Sequence, residues 1–288
     1  MAGTAGGAGG DPEGRDPKGG GRGGERVALV TGGSRGVGRG IAVALGAAGW
    51  TVWVTGRSSD ASGPTSHLPG TVERTAAAVT AAGGRGVAVA CDHRDDDQVR
   101  ALVARIEAGS GALHLLVNNV WAGYERLNAG NWEEWNAPFW EQPLSLWADM
   151  FDSGVRAHYV ATALCAGLLR ATPGSLVVTI SVPIGAVPGA RYGVAYSVAK
   201  VADDRLATAA AAALERDRVA SVSLHPGLVR TEGVMQFAAY LDLNGSQSPE
   251  GVGRAVAALA ADADVLSLTG RALGVDELAT RYGVDVTT

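Results

Sequence analysis

The fold is decided by the stretch VALVTGGSRGVG at residues 27–38, which joins an apolar strand-like run to a glycine-rich turn and a helix-like run. Gly32 allows a tight turn, Gly36 lets the backbone approach a phosphate, and Gly38 lets the following helix pack closely. The amino terminus of that helix offers unpaired N–H groups and positive dipole to phosphates. Because the glycines lie between a strand and a helix, they predict a dinucleotide-binding turn. We expect the dinucleotide to contact Gly32, Ser34, Arg35, Gly36, Val37 and Gly38.

Strand-like and Ala-rich helix-like runs alternate along the rest of the chain. We predict strands at residues 27–31, 51–55, 86–90, 113–118, 175–181, 219–224 and 265–269. We predict helices at residues 37–49, 71–82, 95–108, 145–170, 195–216 and 249–261. The strand-like runs are continuously apolar, which indicates a parallel sheet covered on both faces. The chain is therefore predicted to form an α/β fold of the Rossmann type, a doubly wound seven-stranded parallel sheet with helices on both faces, in a single domain over residues 26–288.

Composition and charge exclude several other classes of protein. The chain has 288 residues, of which 47% are hydrophobic, and its formal net charge is -5. This charge argues against a nucleic-acid binder, and no apolar run approaches the roughly 20 residues that span a bilayer. Residues 1–25 are nearly all Gly, Ala, Pro and charged residues, so we expect a disordered leader rather than a secretory signal. The two distant cysteines, Cys91 and Cys165, favour reduced thiols and a cytoplasmic protein.

A second motif, Tyr196-Ser197-Val198-Ala199-Lys200, carries the chemistry. Residues four apart on a helix project from one face, so the phenol of Tyr196 and the ammonium of Lys200 are neighbours. A fixed ammonium stabilises the anionic form of a phenol and lowers its pKa, which makes the phenol a usable proton donor or acceptor. Together with the glycine turn, the pair predicts a nicotinamide-dependent oxidoreductase.

The end of the second predicted strand bears on the choice of cofactor. An acidic residue there would bind the ribose 2′-hydroxyl of NAD, but Arg57 stands at this point and Asp60 comes only later. Arg57 and Arg35 could pair with a 2′-phosphate, because the planar guanidinium can donate twice. They could also be two solvated surface arginines. We expect NADP(H) to be favoured over NAD(H).

Four motifs in sequence order are similar to signatures of the short-chain dehydrogenase/reductase family. They lie at residues 31–38, 118–119, 196–200 and 226–231, and the similarity spans roughly residues 26–275. Residues 136–141, 156–159 and 279–283 resemble one subgroup of that family. The resemblance implies that Asp92 contacts the adenine and that Asn118 supports the fourth strand and the cofactor. It implies that the nicotinamide end is flanked by Pro226, Gly227, Val229 and Thr231. It also implies a homodimer or homotetramer.

The chain departs from the family pattern at two points. The sequence position at which the family has its catalytic serine, the serine slot, is occupied by Val182 in this chain, or by Pro183 when the position is counted back from Tyr196. Ser181 is the nearby hydroxyl that could serve as a catalytic residue, or it could satisfy local backbone groups at the end of the strand. The family's relay asparagine corresponds to Gly154, which could admit water at a helix bulge. His158, one turn further, is either a relay partner or a packing residue.

Aromatic side chains are concentrated between residues 120 and 143, after the fourth predicted strand. They could frame an apolar substrate pocket, cap the sheet or form a subunit contact. Trp121 directly follows the Asn118-Asn119-Val120 stretch, so it is the aromatic residue that we place near a ligand. The family resemblance favours a structural role for Trp140.

These observations predict an enzyme that transfers hydride between NADPH and a carbonyl or secondary alcohol of a small to medium apolar substrate. In this mechanism Tyr196 protonates the carbonyl oxygen and Lys200 supports Tyr196. The alternative is a catalytically impaired NAD(P)-binding sensor or structural subunit, which Val182 and Gly154 favour. An enzyme acting on acyl thioesters would need a basic patch, and the sequence offers none. The histidines show no metal-ligand spacing, and the acidic run at Asp95 is typical of a helix start.

Overall fold

The strands of this computed structural model, which describes residues 25–65, 67–184 and 193–288, are all parallel. Within the described residues, seven strands form one sheet in the order β3-β2-β1-β4-β5-β6-β7. Their bounds are β1 Val27–Val30, β2 Thr51–Gly56, β3 Arg85–Ala90, β4 Leu115–Asn118, β5 Leu176–Ile180, β6 Ala220–His225 and β7 Ala272–Gly274. This arrangement confirms the predicted doubly wound fold in a single domain. The expected leader, apart from Glu25, lies outside the described residues.

Helices cover both faces of the sheet and bury separate apolar layers. Their bounds are α1 Gly36–Ala47, α2 Val72–Ala81, α3 Asp96–Ser110, α4 Glu125–Asn128, α5 Trp132–Asn136, α6 Ser145–Met150, α7 Arg156–Ala171, α8 Val194–Leu214, α9 Glu232–Met235, α10 Pro249–Ala261 and α11 Val275–Tyr282. Helices α1, α2, α10 and α11 pack on one face, and α3, α7 and α8 pack on the other. None of the helices in the described part of the chain could cross a bilayer.

Two predicted elements differ from the structure. The apolar run at 265–269 is not a strand: Val265–Leu268 forms a 3₁₀ turn, and β7 follows at Ala272–Gly274. Val265 and Leu268 are buried with exposed Ser267 between them, and this three-residue spacing suits a 3₁₀ turn better than a strand. The predicted helix 145–170 is divided into α6 and α7 by a π-helical turn at Phe151–Val155.

Helix α1 is held against α10 by direct backbone contact at glycines. A Cβ on Gly40 would lie 2.1 Å from the carbonyl carbon and oxygen of Pro249, and one on Gly253 would lie 2.4 Å from the Gly40 oxygen. The two helices therefore approach more closely than any side chain would permit. This contact fixes the position of α1, whose amino terminus begins the candidate site.

Candidate active site

The glycine turn closes tightly against the end of β4. Gly32 and Gly36 have φ values of 65° and 56°, in the left-handed region that favours glycine. A Cβ on Gly32 would lie 2.8 Å from the Val120 Cα, and one on Gly38 would lie 2.5 Å from the Gly32 oxygen. The predicted tight turn and close helix packing are therefore present. Ser34 is buried in the turn, and Val37 packs against the core.

Asn119, directly after β4, ties the glycine turn to the end of that strand. Its Nδ2 donates to the carbonyl oxygens of Thr31 and Gly32 at 2.9 and 3.0 Å. Asn118 is buried and donates to the Thr162 hydroxyl at 2.9 Å. Asn118 thus links β4 to α7, and its Oδ1 has no partner among the described residues. The Asn118-Asn119 pair identified this region, but the assignment of the two amides required the structure.

A carboxylate already lies at the amino terminus of α1. The Gly36 N–H donates to Glu232 Oε2 at 2.9 Å, and the Thr231 methyl carbon lies 3.4 Å from where a Gly36 Cβ would be. The loop after β6 therefore reaches the glycine turn. Thr231 caps α9 by accepting from the Val234 N–H at 3.3 Å. Sequence reasoning missed Glu232, although an acidic residue directly after the family's threonine was a visible signal.

The remaining residues predicted at the nicotinamide end lie in the loop after β6. The Gly227 N–H donates to Gln247 Oε1 at 3.1 Å. Val229 is buried and forms an isolated β-bridge with Gln247. Pro226 directly follows β6. Gln247 thus holds this loop at the carboxyl edge of the sheet, the edge at which ligands bind in open α/β folds.

The two arginines of the cofactor prediction lie at the same edge, and each has a polar partner. Arg35 Nη2 donates to the Ser58 hydroxyl at 2.7 Å, while Arg57 forms an ion pair with Glu125. Burial lowers the pKa of Arg35, opposed by the charges of Glu232 and Glu125. Neither arginine is a fully solvated surface residue. Asp92, the predicted adenine contact, accepts from Arg94 Nη2 at 2.6 Å.

Tyr196 and Lys200 are buried on the first turns of α8, with 2% and 5% of their surfaces exposed. The Lys200 ammonium donates to Asp203 Oδ2 at 3.1 Å and to the Ile180 carbonyl at 3.3 Å. It also lies 3.8 Å from the centroid of the Trp121 ring, which attracts a cation through its negative face. The predicted catalytic lysine is therefore fixed by three separate contacts.

A buried chain of polar groups extends from Lys200 through Asp203 and His158 to the Val120 carbonyl. Asp203 Oδ1 lies 2.8 Å from His158 Nδ1, and His158 Nε2 lies 2.9 Å from the Val120 carbonyl oxygen. Burial acts to raise the pKa of Asp203, but the charges of His158 and Lys200 outweigh it and hold the pKa below its ordinary value. His158 is thus a polar network residue rather than an apolar packing residue. Sequence reasoning missed Asp203, which a position three residues after Lys200 could have indicated.

Gly154 accommodates the ring of Trp121. A Cβ on Gly154 would lie 2.6 and 2.7 Å from two carbons of the Trp121 ring. The expected bulge is present as the π-helical turn, a feature that often marks functional sites. The space next to Gly154 is filled by the indole that also covers Lys200. Trp140, expected to be structural, is 72% exposed.

Ser181 makes a backbone contact and leaves the serine slot without a hydroxyl. Its Oγ donates to the Lys200 carbonyl at 3.0 Å, and its N–H donates to the Leu224 carbonyl at 2.8 Å. Val182 packs against the apolar cluster that contains Tyr196. Within the described residues, Tyr124 brings a hydroxyl to Tyr196, and the two Oη atoms lie 2.6 Å apart. The aromatic-rich loop was the signal, but no sequence spacing distinguishes Tyr124 within it.

The fold and the site together define a Rossmann-type oxidoreductase. They combine a parallel sheet in this strand order, a glycine turn before α1, and buried Tyr196 and Lys200 at the carboxyl edge of the sheet. The short chain dehydrogenase family pattern matches residues 26–241. The chain belongs to the short-chain dehydrogenase/reductase family.

The relatives include the subgroup that residues 136–141 and 156–159 resemble. Dehydrogenase/reductase SDR family member 1 from Mus musculus is 39% identical over 274 residues, and that from Homo sapiens is 36% identical. Each alignment covers 90% of this chain and 82% of the relative. A 3-oxoacyl-[acyl-carrier protein] reductase from Brucella melitensis in complex with NAD has a TM-score of 0.73 at 25% identity, covering 88% of this chain and 96% of its own. A metagenomic short-chain oxidoreductase in complex with NADP has a TM-score of 0.64 at 26% identity, covering 83% and 92%.

Proposed function

We propose that this protein is an NADPH-dependent reductase that transfers hydride between nicotinamide and a carbonyl or secondary alcohol. The observation that carries the proposal is that Tyr196 and Lys200 are both buried, four residues apart on α8, and that Asp203 fixes the Lys200 ammonium. A protein that only binds the nucleotide has no need of a phenol in this position. The rival function, a sensor or structural subunit without turnover, rests on Val182 in the serine slot.

The residues present fit a nicotinamide dinucleotide. The cradle formed by Gly32 and Gly38 has no room for a Cβ, and the side chain of the N-cap residue Arg35 makes no capping hydrogen bond to α1. Its N–H groups are therefore available to an anion that displaces Glu232. When bound, the cofactor would supply the hydride. Asp92 and Asn118 are the residues we assign to the adenosine side and to the support of β4.

The chain's own residues supply the proton. The Tyr196 hydroxyl delivers its proton to the carbonyl oxygen, and the Lys200 ammonium favours the phenolate that remains. The contacts of Lys200 with Asp203 and Trp121 prevent the ammonium from swinging away from this position. Ser181, proposed from sequence as a catalytic hydroxyl, is engaged with the Lys200 carbonyl, so we assign it the role of tying β5 to α8.

The preference for NADPH is supported by Arg35, Arg57 and the Ser58 hydroxyl. Both guanidinium groups lie near the position where the adenosine ribose is expected, and a 2′-phosphate could exchange with the Glu125 carboxylate now paired with Arg57. We expect Arg57→Ala to raise the Kd for NADPH by roughly tenfold, since hydrogen bonds to charged groups contribute about 1.5–3 kcal/mol. The Kd for NADH should not change. Arg100→Ala, at an exposed ion pair, is the control.

The substrate is proposed to be small to medium in size and apolar. The support for this proposal is that apolar side chains, among them Trp135, Leu146 and Met150, surround Tyr196, since such side chains favour contact with apolar surface. A homodimer or homotetramer is proposed because Tyr159, Val198 and Val201 are exposed on α7 and α8. A cytoplasmic location is proposed because Cys91 and Cys165 are both free and buried.

The test is to follow the loss of NADPH and NADH absorbance with aldehydes, ketones, quinones and diketones. Tyr196→Phe should reduce turnover at least roughly 10²-fold, because a positioned proton donor contributes about that much. The matched control is Tyr159→Phe, which changes a phenol that is 61% exposed and should leave turnover unchanged. Tight NADPH binding without turnover of any substrate would favour the sensor.

A further inference from the structure

The reaction proposed above needs a second hydroxyl that the expected positions do not provide. Val182 occupies the serine slot and packs against the Tyr196 cluster. Ser181 is 1% exposed and donates to the Lys200 carbonyl at 3.0 Å. A substrate oxygen that develops negative charge beside Tyr196 therefore lacks a donor from β5.

Tyr124 brings a hydroxyl to this point from a different element. It immediately precedes α4, and its Oη donates to the Tyr196 Oη at 2.6 Å. Its ring packs on those of Trp121, Trp135 and Tyr196, with centroids 6.1, 5.7 and 5.7 Å away. Because aromatic contacts on several sides restrict the ring, the hydroxyl is held in place.

The exposure of the two phenols differs in a way that suits substrate entry. Tyr124 is 39% exposed, whereas Tyr196 is 2% exposed. An entering substrate consequently meets the Tyr124 side of the pair first. A carbonyl oxygen that approaches Tyr196 can accept from both hydroxyls, since their oxygens are only one hydrogen-bond length apart.

We propose that Tyr124 is a second catalytic residue, which donates a hydrogen bond to the substrate oxygen in place of the family's serine. This inference rests on the proposed function. Hydride reduces the carbonyl carbon as NADPH becomes NADP⁺, the carbonyl oxygen takes the Tyr196 proton, and Tyr124 keeps its own proton while stabilising the oxygen. Removing one such donor costs about 10²–10³ in rate.

The experiment compares four proteins with NADPH and the same carbonyl compounds: wild type, Tyr124→Phe, Val182→Ser and the double variant. Tyr124→Phe keeps the ring packing, so its melting temperature and NADPH Kd should match those of wild type. We expect its kcat to fall roughly 10²-fold with less change in KM. The double variant should recover much of the loss, because serine returns a hydroxyl to the family's slot.

Each alternative result has a separate meaning. If wild type is active and the kcat of Tyr124→Phe is within about twofold of the wild-type kcat, the role of Tyr124 is overturned and the reductase proposal stands. An inactive wild type that becomes active in Val182→Ser would show that Tyr124 does not replace the serine. Inactivity of both wild type and Val182→Ser would overturn the proposed function and this inference together.

Discussion

Replacing Gly154 with alanine tests whether the π-helical turn exists to accommodate Trp121. In an ordinary helix, alanine is more favourable than glycine by about 1 kcal/mol. At Gly154 the new Cβ would lie 2.6 Å from the Trp121 ring, and overpacking of this kind costs about 1–3 kcal/mol. The ring has little freedom to move, because a Gly123 Cβ would also lie 2.7 Å from it and Lys200 lies over its face.

The upper end of the steric cost is about 3 kcal/mol, and the helix propensity of alanine offsets about 1 kcal/mol of it. Gly154→Ala should therefore lower the free energy of unfolding by about 2 kcal/mol. Urea unfolding of wild type and Gly154→Ala measures this change. Gly167→Ala is the control: Gly167 lies in α7, the helix that follows the π-helical turn, and a Cβ there would meet no atom within 4 Å. We expect the control to stabilise the protein by up to about 1 kcal/mol.

The same variant should also disturb the Lys200 contact. If Trp121 shifts to make room, the ammonium loses the ring that now covers it, so we expect turnover to fall more than NADPH affinity. Combining Gly154→Ala with Trp121→Leu should remove most of the steric penalty, a coupling that a double-mutant cycle detects. Stabilisation of Gly154→Ala equal to that of Gly167→Ala would refute the reasoning.

Three further predictions concern charged and titratable groups. Glu232→Gln should tighten NADPH binding roughly two- to fivefold in a fluorescence titration, since a carboxylate at a helix amino terminus contributes about 0.3–1 kcal/mol. Weaker binding would show that Glu232 does not compete with the cofactor for the amino terminus of α1. Burial, and then the charge of His158, lowers the pKa of His93 to about 4 from 6.5. The unfolded chain therefore takes up a proton as the pH falls through this interval, and the free energy of unfolding should drop by roughly 3 kcal/mol. Urea unfolding across that pH range should show a smaller drop in His93→Gln. The pKa of Asp203 is lower in the folded protein than in the unfolded chain. Its carboxylate therefore stabilises the fold at pH values above the unfolded pKa, and this stabilisation is lost as the pH falls through the folded pKa. Asp203→Asn should cost about 3 kcal/mol at neutral pH, and a cost below about 1 kcal/mol would show that Lys200 and His158 do not depend on it.

The glycine turn and the alternation of strands and helices could be predicted because local sequence determines both. Gly32 and Gly36 adopt the positive φ values that favour glycine, and buried parallel strands are continuously apolar. The error at 265–269 has a local cause as well, since a short apolar run does not by itself distinguish a strand from a 3₁₀ turn.

The parts of the site that sequence could not predict depend on contacts between distant segments. Gly154 was recognised as a departure from the family, but the ring that it accommodates belongs to Trp121, 33 positions away. Tyr124 lies 72 positions from Tyr196. Ser181 had two open interpretations, and its hydrogen bond to the Lys200 carbonyl favours the backbone role.

The glycine contact between α1 and α10 means that a mutation outside the candidate site can affect nucleotide binding. Gly40 lies one turn from Gly36, about 6 Å along the helix axis, so a shift forced at the helix crossing moves the first turn of α1 as well. A change at Gly253 lies on α10, outside the candidate site, yet its side chain would strike the Gly40 oxygen. Such a change would lower the affinity for the nucleotide. A genetic screen for cofactor-binding defects would therefore find mutations of Gly253 as well as mutations of the glycine turn itself.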